Sequence, residues 1–224
     1  MDLFDVYPGL SGKESPTISG RSLRLIALAG FVFDGRHMYF ELGAERYWGR
    51  LPNGRVAVGV GAPRVEPDGT FPPHHALVRY LRSAWRCSVD FLPAGYSYLL
   101  DESCQVEVLQ QVDAHFPYLF IFTPPRLGGG DEVPDALVQA AYLLPVQAFQ
   151  VDRAKVNLLR ISREHLATFL ASEDWEMAEL LGHPWANVLS NNSLPENARM
   201  RPVLALRGLR HLLKADALPE ALSS

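Results

Sequence analysis

Residues 65–87 read VEPDGTFPPHHALVRYLRSAWRC. Glu66-Pro67-Asp68-Gly69 has the composition of a tight turn, since proline presets φ and glycine tolerates the positive φ such turns need. Pro72-Pro73 suits the start of a helix, because proline lacks the N–H that the first turn leaves unpaired. Leu77, Leu81 and Trp85 then recur four apart, with Val78 beside them. That spacing predicts one apolar stripe on a helix from about His74 to Arg86. The same helix carries His74, His75, Arg79, Arg82 and Arg86 and no carboxylate.

The pattern on either side is that of strands. Leu23–Phe33 is a continuous apolar run that ends at Asp34-Gly35, a turn dipeptide, and RHMYFELG follows, which predicts a hairpin or meander. Asn53-Gly54 favours a second tight turn, and VAVGV after it reads as a short β-branched strand. Downstream, SVDFLPAGYSYLLD and SCQVEVLQQVDA give two strand regions, and PYLFIFTPP a third, apolar enough for the middle of a sheet. AAYLL reads as a strand whose proline, Pro145, starts a short helix. Beyond Val151 the texture turns helical, ending in an amphipathic helix within RPVLALRGLRHLLKADAL. Residues 1–20, rich in Gly, Ser and Pro, read as a flexible N-terminal arm. The domain reading is therefore an arm over 1–20, a globular domain over 21–151 and a helical C-terminal extension over 152–224.

Composition narrows the class of function. A chain of 224 residues with 48% hydrophobic and 21% charged residues can bury a core without staples. A formal net charge of −4 gives no reason to expect nucleic acid as a partner. Two cysteines, Cys87 and Cys104, read as reduced structural thiols. No stretch of about eighteen apolar residues implies a membrane span. The N-terminal residues lack a basic start followed by an apolar block, so a cytoplasmic protein is expected. There is no Gly-X-Ser-X-Gly elbow, and Gly128-Gly129-Gly130 lacks the Lys-Ser/Thr of a phosphate-cradling loop.

The order strand, hairpin, glycine-rich turn, helix, several strands and AYLLP segment resembles the Nudix hydrolase family. GRLPNGRVAVGVGAPRVEPDG is similar to the strand and loop that open the Nudix motif, and ALVRYLRSAWRCSV to its helix, with Arg79 at the motif arginine. PYLFIFTPP and QAAYLLPVQAF resemble the late strands. The likeness covers about Leu23 to Val151. It implies an α/β class fold (α+β), an α/β/α sandwich around a mixed sheet. It also implies magnesium-dependent hydrolysis of nucleoside diphosphate derivatives, and often a homodimer.

The motif itself is degenerate. Aligning Arg79 puts Tyr80 where the next glutamate belongs and Ser83-Ala84 where the Glu-Glu pair belongs. The spacer from Gly69 to Arg79 is two residues long. Magnesium asks for several oxygen ligands in octahedral order. Tyr80, Ser83 and Ala84 cannot supply them, and Glu66 with Asp68 are too few unless Asp101, Glu102 or Glu107 join. The sequence therefore points to a Nudix-like protein without that activity and without a metal or other cofactor. It would bind a nucleotide-like or other anionic small molecule through Arg79 and Arg82, with Glu66 alongside, or serve as an interaction scaffold. An Arg79–Glu66 pair is the structural alternative for the same residues. An active hydrolase would use magnesium on Glu66 and Asp68. A third reading is a ligand-sensing regulator, in which the basic segment from Pro195 to Lys214, with Arg199, Arg201, Arg207, Arg210, His211 and Lys214, meets DNA through its helix; a solvated face on a packed helix is its plain alternative.

Overall fold

The computed structural model describes residues 1–110, 115–125, 133–149, 156–189, 194–195 and 197–223, without the side chains of residues 53, 149, 220 and 223. Gly128-Gly129-Gly130 lies outside the described residues. In chain order the elements are α1 (Leu3–Val6), β1 (Leu23–Phe33), β2 (His37–Leu42), β3 (Gly49–Arg50), β4 (Val56–Gly61), β5 (Arg64–Val65) and α2 (His74–Ala84). Then come β6 (Cys87–Val89), β7 (Tyr96–Leu100), β8 (Val106–Gln110), β9 (Leu119–Thr123), β10 (Ala136–Phe149), β11 (Leu158–Ser162) and α3 (Leu166–Ala171). Last are β12 (Trp175–Glu176), α4 (Met177–Gly182), β13 (Ala186–Leu189), β14 (Ala198–Pro202), α5 (Ala205–Lys214) and α6 (Glu220–Ser223). The fold is mixed α/β, of the α+β class. No helix among the described residues is long and apolar enough to cross a membrane.

Two compact units alternate along the sequence instead of following the boundaries at 20 and 151. One comprises Met1–Gly30, Arg64–Arg79 and Phe91–Leu143, the other Phe31–Pro63, Tyr80–Asp90 and Leu144–Ser224. In the first, β10, β9, β7 and β8 follow one another in a sheet, with β9 antiparallel to β10 and parallel to β7. Leu119, Phe120, Ile121 and Phe122 of β9 are all buried, as a strand covered on both faces requires. The predicted flexible arm is packed. Asp2 caps α1 by accepting from the Phe4 N–H at 2.8 Å, and Leu3, Tyr7, Leu10 and Ile18 are buried. Ser15 and Thr17 donate to Glu107 at 2.8 and 2.9 Å. Those partners are distant in sequence, so local composition gave no sign of them.

In the second unit the predicted hairpin is present. The end of β1 pairs with β2, Val32 opposite Tyr39, and Asp34 closes the turn by accepting the N–H groups of Arg36 and His37, both at 2.7 Å. The Asn53-Gly54 turn joins β3 to β4, with Gly54 at φ +72°. The predicted helical extension departs most from expectation. β11 runs antiparallel between β2 and β13, and β14 lies parallel to β4, so residues 152–224 contribute strands as well as helices. Pro145 starts no helix. β10 runs through it to Phe149, with a register shift between Val146 and Ala148. A bulge tolerates the missing proline N–H, and the Pro145 carbonyl still accepts from Asp90 N–H at 2.9 Å.

Candidate functional site

Alternation along three adjacent strands builds a polar floor in the second unit. Met38 and Phe40 of β2, Leu159 and Ile161 of β11 and Ala186 of β13 are buried in its core. A strand's side chains alternate faces, so His37, Tyr39, Arg160, Ser162 and Asn187 project from the other side. The register sets them in rows: Arg160 is opposite both Tyr39 and Asn187, and Ser162 is opposite His37. The turn Gly35-Arg36, the 3₁₀ turn Arg163–His165 and Pro184-Trp185 rim this floor, enclosing a groove of about 570 Å³.

Three guanidinium groups, Arg36, Arg160 and Arg163, meet one carboxylate, Glu164, along the groove wall. Arg163 is anchored: it donates to the Asp34 carbonyl at 3.3 Å and the Ala221 carbonyl at 2.6 Å and lies 5.5 Å over the Phe33 ring. The guanidinium groups of Arg36 and Arg160 have no hydrogen-bond or ion-pair partner among the described residues. Asp34 is near the groove but committed. Burial pushes its carboxyl pKa up, yet the Tyr39 hydroxyl at 2.6 Å, the N–H groups of Arg36 and His37 and the His37 charge together hold it below its ordinary value. Burial and the bond to Asp34 push the Tyr39 phenol far up, so it stays protonated as a donor. Trp185 is stacked by imidazoles of the chain itself, His165 at 5.4 Å and His183 at 4.7 Å between centroids.

The segment that decides the sequence reading is put to structural use. Arg79 forms an ion pair with Asp68, not with Glu66, and donates to the Thr70 hydroxyl at 2.8 Å. Hydrogen bonds from Thr70, and then Arg79, hold the Asp68 carboxyl below its ordinary pKa. Glu66 and Arg82 are exposed, and neither lines the groove. Leu77, Leu81 and Trp85 are fully buried, as the stripe predicted. Tyr80, in the place of a motif glutamate, donates to Glu41 at 2.6 Å, and Trp85 Nε1 donates to the same oxygen at 3.0 Å. His74 is buried, stacked on Phe91 at 4.2 Å and beside His115 and Tyr142. Its Nδ1 has no partner among the described residues, and burial, with His75 and His115 nearby, pushes its pKa down to about 4.

Of the carboxylates proposed to gather around magnesium, Glu66 is exposed and the other four are engaged elsewhere. Asp68 serves Arg79; Asp101 accepts the N–H groups of Ser103 and Gln105; Glu102 pairs with Arg21; Glu107 accepts from Ser15 and Thr17. A cavity of about 170 Å³ beside the turn holds two carboxylates, Asp5 and Asp68. Among the described residues no group of three or more His, Cys, Asp or Glu side chains is placed to hold a metal ion. The donor set does not fit the magnesium centre that the resemblance implies. Burial also pushes the Cys87 thiol up to about 11, which makes it inert as a nucleophile at neutral pH.

The groove residues Arg36, Arg160, Arg163 and Asn187 escaped the sequence reading. The signal was present in LLRIS, where Arg160 interrupts an alternating apolar strand, but the helical texture downstream masked it.

Fold and site thus define an α+β protein with an arginine-lined groove. No family model matches the chain and no curated protein matches it. A solved structure with some likeness is the solution structure of the E. coli ORF135 protein, at 13% identity over 65% of this chain and 79% of that chain, with a TM-score of 0.32. A likeness that weak carries no argument.

Proposed function

We propose that this chain is a binding protein of Nudix-like character that takes a phosphate-bearing, anionic small molecule into the groove over β2, β11 and β13. In this reading it does not perform magnesium-dependent pyrophosphate hydrolysis. The observation that carries it is the pair Arg36 and Arg160, two guanidinium groups with no counterion among the described residues, at a concave surface that also offers the neutral Asn187 amide. Guanidinium groups bind phosphate and carboxylate with paired, charge-assisted hydrogen bonds. A cleft with a few convergent polar groups is the usual form of a small-molecule site. The sequence resemblance supports a nucleotide-like ligand within that class. The hydrolase alternative needs Asp68 to leave Arg79 and several further oxygen ligands to arrive beside it. The regulator alternative has only the basic face of α5 in its favour, and Arg210 there already pairs with Glu173 at 3.2 Å.

Thermal-shift and calorimetric titrations against nucleoside mono-, di- and triphosphates test this reading. They are paired with a magnesium-supplemented turnover assay on nucleoside diphosphate derivatives. Saturable binding without turnover is the expected result. Robust magnesium-dependent product release that disappears in Glu66→Gln would overturn it, and so would silence across the whole panel.

A further inference from the structure

We infer that the groove reads the anionic part of its ligand alone, accepting a compact diphosphate and leaving any attached ring unrecognised. This rests on the binding role proposed above.

Charge comes first. Arg36 and Arg160 line the groove with no ion-pair partner for either guanidinium among the described residues. Two such forks can each take one phosphoryl group of a diphosphate, whereas a neutral nucleoside offers nothing to them. Geometry comes second. Arg160 and Asn187 are direct register partners on neighbouring strands, and such partners have Cβ atoms about 5 Å apart. A guanidinium fork and an amide donor can therefore reach adjacent phosphoryl oxygens together. Arg163 is held in place by two backbone carbonyls and forms part of the groove wall.

The ring side of recognition is missing. Base-stacking sites present an open aromatic surface to the ligand. Trp185 is the large aromatic ring of this groove. It is stacked by His165 with planes 6° apart and by His183 with planes 15° apart, and Trp175 packs its edge against it at 5.8 Å. A base would have to displace the chain's own imidazoles to take their place. The His37 ring is tilted against Tyr39 at 6.3 Å and lies 3.5 Å from Asp34, tied into the turn.

Titration of the full chain with inorganic pyrophosphate, ADP and adenosine at one ionic strength tests the inference. Pyrophosphate and ADP should bind with Kd values within about threefold of each other, and adenosine should give no binding heat. Asn187→Ala should weaken both phosphorylated probes by the same factor. ADP binding more than about tenfold tighter than pyrophosphate overturns the inference and leaves the binding role standing, as does a variant that weakens one probe and spares the other. If pyrophosphate and ADP are both silent, the binding role itself fails and this inference goes with it.

Discussion

On α2 and the turn before it, cationic and polar side chains have been given internal work. Arg79 reaches Asp68 and Thr70, Tyr80 and Trp85 reach Glu41, and His74 is buried against Phe91. Over β2, β11 and β13 the same residue types are left open: Arg36 and Arg160 face a groove of about 570 Å³ with no partner among the described residues. Both regions look basic in sequence. They differ in whether the surrounding fold brings a carboxylate or an aromatic ring to meet each cation. A guanidinium that has its anion is part of the scaffold, whereas one without an anion, at a concave surface, is free to bind one from solution.

The largest test of that contrast removes the open arginines. Each charge-assisted hydrogen bond to an anion is worth about 1.5–3 kcal/mol, or roughly 10- to 100-fold in affinity. Arg36→Ala with Arg160→Ala should therefore abolish measurable phosphate-ligand binding in calorimetry. Neither guanidinium has a partner to lose among the described residues, so the melting temperature should hold. A double variant that binds as the parent does would show that the open arginines are an idle surface and end the distinction between the two regions.

Next in size is a hydrogen bond on α2. The Tyr80 hydroxyl donates to Glu41. Burial, with the charge and hydrogen bond of Glu41, pushes its phenol pKa far up, so it remains a donor throughout the physiological range. Tyr80→Phe deletes a bond to a charged acceptor and should cost about 1.5 kcal/mol. For a chain of this size that lowers the melting temperature by roughly 3–6 °C, with ligand affinity unchanged. A loss of affinity with no loss of stability would reverse the roles assigned to the two regions.

How much of this was legible depends on how local its cause was. The stripe Leu77, Leu81 and Trp85 was readable because helical periodicity is written in neighbouring residues, and so were the turns at Asp34-Gly35 and Asn53-Gly54. The partner of Arg79 was readable only to within the loop: a carboxylate was expected, and the turn delivers Asp68 where Glu66 was the guess. The groove was not readable. Arg160 meets Asn187 and Tyr39 only because β11 inserts between β13 and β2, a pairing across more than a hundred residues on one side. The packed N-terminal segment escaped for the same reason, since Ser15 and Thr17 are fixed by Glu107 far along the chain.

His74 sharpens the contrast through pH. Its pKa in the folded chain is about 4, below the ordinary value of about 6.5 that the unfolded chain shows. Between those values the unfolded state binds the extra proton, so stability is full above about pH 6.5 and falls as the pH drops toward 4. His74→Phe keeps a ring against Phe91 and removes the proton site. The melting temperature of that variant should decline less over this window than that of the parent. Parallel melting curves for the two proteins would mean that the imidazole is not a buried neutral group and that His74 belongs with the open cations.

The smallest effect is expected at Arg79, the residue on which the sequence resemblance most depends. Its ion pair with Asp68 leaves the two side chains 54% and 49% exposed. Solvent and salt screen such pairs, and holding two side chains in one geometry costs entropy that offsets most of the attraction. Arg79→Ala should leave the thermal melt unchanged within its error and leave phosphate-ligand binding unchanged as well. Asp68 keeps its hydrogen bond from the Thr70 N–H at 3.0 Å, so the turn retains its own closure without the arginine. That double null is informative because the same substitution at Arg160 should weaken binding roughly 10- to 100-fold. Only the setting differs between the two positions. If Arg79→Ala instead weakened the ligand tenfold, the anion would have to sit at the turn and not in the groove, and the Asp68 carboxylate would become the group that the ligand displaces.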